Sequence, residues 1–141
     1  MKNYSDNEIV DLIERFESKS LPKTEWTHEA HLVVAIWYSK KYSMTKAMDL
    51  VRNFISQHNQ SVGTPNSDTE GYHESITQFW LLTAERFSQN QQFDTTSAAC
   101  NAFINSDEGN SNYPLNFYSE KKLFSVQARH HWIAPDKKEF A

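Results

Sequence analysis

Leu32-Val33-Val34-Ala35-Ile36-Trp37-Tyr38 is an unbroken apolar run of seven residues, and it constrains the fold more than any other stretch. An element with one wet face cannot carry it. The run must be enclosed on most sides, either as a buried strand or as a central helix. Its β-branched and aromatic residues favour a strand. Its context favours a helix, because a polar, capped start (Thr24, Glu25) leads into it and no turn residue interrupts it before Ser39-Lys40-Lys41. The second helix is therefore expected from about Glu25 to Lys41.

The flanking sequence extends this pattern. Ser5-Asp6-Asn7-Glu8 is a capping box ahead of Ile9, Leu12, Ile13 and Phe16, which places a first helix over Asp6–Ser18. Thr45 is the candidate cap of a third helix ending near Gln60. Gly63 and Pro65 break the chain there. Ser67-Asp68-Thr69-Glu70 reads as a second capping box, opening a fourth helix that runs to about Ser88. Asp94 or Thr95 starts a fifth, ending near Asn105. Ser119 and Ser125 cap two short pieces, Glu120–Phe124 and Val126–Trp132, before Pro135 stops regular structure. Only three Gly and four Pro among 141 residues suit long helices better than a turn-rich β fold. The expectation is one all-α domain over residues 1–141, a compact helical bundle of five main helices plus a short C-terminal helical segment.

Charge and cysteine content narrow the function. The net charge of −4, with no dense basic cluster, gives no reason to expect nucleic acid or an anionic membrane as partner. A single cysteine, Cys100, excludes an internal disulfide and cysteine-cage metal sites; it sits among alanines and reads as a small core residue. No apolar run follows Met1, so no signal peptide is expected, and the run at Leu32–Tyr38 is far short of the ~20 residues a membrane span needs. The expected location is the cytoplasm. No glycine-rich phosphate loop, Walker motif or Gly-x-Ser-x-Gly elbow is present.

The candidate site lies at Trp26-Thr27-His28-Glu29-Ala30-His31-Leu32. His28 and His31 are three apart and share a helix face with Ala35 and Tyr38. A helix N-terminus disfavours imidazolium, which leaves the nitrogens available as bases or ligands. His73 and Glu74 stand in the same way near the start of the fourth helix. If those ends meet, three imidazoles and a carboxylate converge, a donor set that suits zinc, nickel, iron or manganese. On that reading His28, His31 and His73 hold a divalent metal. Glu74 or Glu29 is then the base in hydrolytic or proton-transfer chemistry on a small molecule. Trp26 and Tyr72 would wall a ligand or simply fill the core, and Glu29 would orient a histidine or stay solvated. Arg129 would clamp a substrate anion or pin the tail through Glu120 or Asp136. His58 closes an apolar stripe and reads as structural. Two other readings stay open: a non-enzymatic pocket for a small ligand, and a homodimeric or partner-binding scaffold in which the histidines are structural.

The same blocks carry a resemblance. Trp26-Thr27-His28-Glu29-Ala30-His31-Leu32, Gly71-Tyr72-His73-Glu74-Ser75-Ile76-Thr77, and the tail residues Tyr118-Ser119-Glu120, Leu123-Phe124-Ser125, Ala128-Arg129, Trp132 and Pro135-Asp136 are similar to a family of small, uncharacterised bacterial proteins. The blocks span most of the chain. The family pattern often has Thr where this chain has Ser75. The resemblance implies a bacterial source and a helical domain, and it carries no assigned chemistry.

Overall fold

A computed structural model describes residues 3–140. It is all-helical, with no strand among the described residues. The five main helices are α1 (Asp6–Glu17), α2 (His28–Lys41), α3 (Met44–Ser61), α4 (Glu74–Asn90) and α5 (Thr96–Ile104), followed by the short α6 (Glu120–Leu123) and α7 (Val126–His130). Single 3-10 turns at Lys23–Glu25, Asp107–Gly109 and Tyr113–Asn116 join them. No described helix is long and apolar enough to cross a membrane.

The apolar run forms the central helix. Leu32, Val33, Val34, Ala35, Ile36 and Tyr38 of α2 are all buried, because α2 packs against α1, α3, α4 and α5. The buried Tyr38 hydroxyl donates to the Glu17 carboxylate, so even the polar atom of that side chain is satisfied within the fold. Around α2, Phe16, Phe79, Phe103 and Tyr118 complete the core with side chains that are fully enclosed. Cys100 lies among them, and burial pushes its thiol up to about 12.

Local caps set most boundaries. Ser5 and Glu8 form the reciprocal capping box of α1, and Thr95, Ser119 and Ser125 each accept from the backbone three residues on. Three starts differ from the sequence expectation. Helix α2 begins at His28, capped by Thr27 rather than Thr24, since residues 23–25 form a separate turn that lets Trp26 lie on Phe16. Helix α3 begins two residues early, capped by Ser43 rather than Thr45. Helix α4 begins at Glu74, with the His73 ring as its cap, and the Ser67–Glu70 box does not open a helix. The reason is Gly71, whose φ of +82° cannot continue a right-handed helix. The loop before it is held from outside. Asn66 accepts from Asn59 and from the Tyr72 backbone, and its amide donates to the Ser56 carbonyl.

The tail is stitched to α4. Ser75, fully buried, donates to the His131 carbonyl (2.7 Å) and accepts from the Ile133 backbone (3.1 Å). The Tyr118 hydroxyl donates to the Ile133 carbonyl (2.5 Å), and Asp136 accepts from both the backbone and the hydroxyl of Ser119.

Two glycines test this account of the loop. A Cβ at Gly71 would stand 2.3 Å from the Pro65 carbonyl oxygen, whereas one at Gly63 (φ +78°) meets nothing. Gly63→Ala should cost only the left-handed backbone penalty of about 1–2 kcal/mol, and Gly71→Ala distinctly more, above ~3 kcal/mol. Urea denaturation of the two variants separates them, and equal losses would contradict the packed loop.

Candidate functional site

The site begins with a stack of rings. Trp26 lies parallel to Phe16 (4.9 Å between centroids), and the His31 ring lies 3.7 Å from Trp26, with His58 5.3 Å from it. His31 sits in the first turns of α2, and its Nδ1 is 2.6 Å from the Thr27 carbonyl. A carbonyl can only accept, so Nδ1 carries the proton and Nε2 carries a lone pair. Nε2 has no hydrogen-bond partner among the described residues. Burial pushes the imidazole down to about 4, outweighing the bond to Thr27, with the nearby His28 and His58 acting in the same direction as burial. At neutral pH His31 is an uncharged acceptor.

His31 forms part of the wall of a crevice of about 50 Å³ where α2, α3 and α4 meet. That is space for roughly three or four waters at ~10–15 Å³ each. The wall is apolar apart from His31, Thr77 and the indole N–H groups: Trp26, Trp80, Val34, Val51 and Leu81 make up much of it.

Behind Thr77 stands a charged cluster. Arg52 of α3 grips Glu74 with two hydrogen bonds (Nε to Oε1, 2.9 Å; Nη2 to Oε2, 2.8 Å), and the Tyr72 hydroxyl donates to Glu74 Oε1 (2.7 Å). Burial alone would raise the Glu74 carboxyl, but Arg52 and Tyr72 together overcome it and hold it below its usual range. Burial and then Glu74 push the Tyr72 phenol up, and the Thr77 side chain pulls it partly back. The crevice and the cluster thus adjoin through Thr77.

The other histidines are occupied. His28 Nε2–H donates to the Gly109 carbonyl (2.8 Å), with the ring edge-on to Trp80. His73 Nε2–H donates to the Leu123 carbonyl (2.7 Å) while its Nδ1 accepts from the Ile76 backbone (3.1 Å), so both ring nitrogens are used. His58 Nε2–H donates to the Leu21 carbonyl (2.9 Å), and its fully buried Nδ1 has no partner among the described residues. His28, His31 and His73 are thus each turned to a different carbonyl. Among the described residues no group of three or more His, Cys, Asp or Glu side chains is placed to share an ion.

The remaining candidates separate in space. Glu29 faces a wider hollow of about 470 Å³ beside α1, where Arg15 pairs Asp11 (2.9 Å) and Glu25 (3.0 Å). Arg129 donates to the Gly71 (3.0 Å) and Tyr72 (3.4 Å) carbonyls, not to Glu120 or Asp136, and so pins the tail to the loop before α4. His130 adds a contact to Asp68 (2.8 Å). The structure brings together Trp26, His31 and, across Thr77, Tyr72 and Glu74. Sequence reasoning missed Thr77 and Arg52. Arg52 interrupts the apolar spacing of α3 between Val51 and Phe54, which is a signal, but nothing local ties it to Glu74. Compared with known proteins, the chain matches no family model, no curated protein and no solved structure.

Burial lowers both His31 and His73. Each binds a proton more readily in the unfolded chain than in the folded one. Neither affects stability well above pH ~6.5, and both reduce it as pH falls below that value, His31 until about pH 4. Between pH 7.5 and 4.5 the wild type should lose about 1–3 kcal/mol more than His31→Gln, allowing for partial exposure. Urea midpoints at the two pH values measure this, and identical losses would contradict the neutral imidazole.

Proposed function

We propose that this chain is a small-molecule-binding module whose site is the crevice at His31. One observation carries the reading: a neutral imidazole, oriented by its own helix, keeps an unpartnered acceptor nitrogen in a residue that walls an apolar crevice. An acceptor left unpaired by the protein's own groups can be satisfied by a guest that donates to it.

The catalytic reading has less behind it. A hydrolytic base must take a proton near neutral pH, and Glu74 is held ionised by Arg52. A three-histidine metal centre would require His28 and His73 to release their carbonyls. A scaffold reading would draw on exposed apolar area, and among the described residues the large exposed hydrophobics are Val10, Phe124 and Val126. The same proposal keeps the protein in a bacterial cytoplasm, on the strength of the sequence resemblance and the buried, unpaired Cys100.

Xenon is a probe of suitable size, needing no polar partner. Under xenon pressure the methyl resonances of Val34, Val51 and Leu81 should shift in the wild type. They should stay still in Ala35→Leu, which fills the crevice from α2. Absent wild-type shifts, or equal shifts in the filled variant, would overturn the proposal.

A further inference from the structure

We infer that the guest selected by this crevice is a neutral hydroxyl on a short apolar group, either a small alcohol or the alcohol end of a larger molecule. The inference rests on the binding reading above and names its ligand class.

The direction of hydrogen bonding comes first. His31 Nδ1–H is committed to the Thr27 carbonyl, so Nε2 can only accept. A guest must therefore donate. Thr77, the other polar side chain of the wall besides the tryptophans, can both donate and accept. A hydroxyl suits this wall: it donates to His31, while Thr77, whose side chain engages Tyr72, needs no proton from the guest.

Charge comes second. An ammonium would donate equally well, but it would have to leave water for an apolar wall with no free anion. The one carboxylate behind the wall, Glu74, already carries Arg52 on both oxygens and Tyr72 on one. A carboxylate or phosphate would meet the Nε2 lone pair and find no free cation, since Arg52 is spent on Glu74 and Asp49. A pure hydrocarbon would leave Nε2 unpaired.

Size comes third. About 50 Å³ admits a group of three or four heavy atoms. The surrounding Val34, Val51 and Leu81 side chains favour a branched aliphatic end over a flat polar one.

The test uses the intact protein and four probes small enough for the crevice: xenon, propan-2-ol, isopropylammonium and acetate. Chemical shifts of the crevice methyls give affinities, and the His31 ¹⁵Nε2 shift reports a bond to its lone pair. Propan-2-ol should move Nε2 upfield and bind about 3–10-fold more tightly than either charged probe, the value of one net hydrogen bond. His31→Phe should lose that preference while still admitting xenon. If this variant does not fold, the wild-type Nε2 shift decides alone. Xenon entry with no alcohol-induced movement of Nε2, or with equal affinity for a charged probe, overturns the alcohol inference and leaves the crevice reading standing. Exclusion of all four probes overturns both.

Discussion

The structure depends on enclosing α2. A helix with seven consecutive apolar residues has no face to give to water, so α1, α3, α4 and α5 must each cover part of it. That demand sets the architecture. It also sets where polar atoms can sit. The first turn of α2 carries hydrogen-bonding side chains against this apolar body, and each must be matched with donors and acceptors. Burying a side chain such as Ile36 or Leu32 here is worth about 2–5 kcal/mol by the cost of truncating it to alanine, so these matches are made under strong packing constraint.

Histidine serves this constraint in two ways. His28, His58 and His73 act as donors to carbonyls at the ends of the Asp107–Gly109 turn, the segment before α2 and helix α6. These are positions where helical or turning backbone leaves an acceptor unmatched. Each bond ties two segments at least 37 residues apart, as the separations of 81, 37 and 50 show. His31 differs. Its bond is local, to a residue four positions earlier, and it leaves the outer nitrogen of the ring free. The distinction between a clamp and a site is thus the identity of the nitrogen that carries the proton.

Much of the fold was legible because its signals are local. The capping box at Ser5 and Glu8, the caps at Thr95, Ser119 and Ser125, and the apolar run of α2 all act within a few residues, and each appears where the pattern puts it. Two of the misplaced starts fall on a neighbouring cap, Thr27 in place of Thr24 and Ser43 in place of Thr45. Ser67–Glu70 has the chemistry of a capping box, but Gly71 and the hold of Arg129 on the next carbonyls end it before a helix forms. The site was legible in part. Trp26 and His31 were found through their motif, and Tyr72 and Glu74 through theirs. The pairing of Glu74 with Arg52 was not, nor was the separation of His28 from His73. Both depend on how α3 and α4 align and on where the tail returns, and no short-range pattern encodes that register.

The most direct measurement is the tautomer and titration of each histidine by long-range ¹H–¹⁵N correlation. The account predicts that His28, His58 and His73 are Nε2–H tautomers. It predicts that His31 is the Nδ1–H tautomer with a bare Nε2, still neutral at pH 5. Finding His31 protonated on Nε2 at neutral pH, or titrating near the ordinary imidazole value, would contradict the central claim.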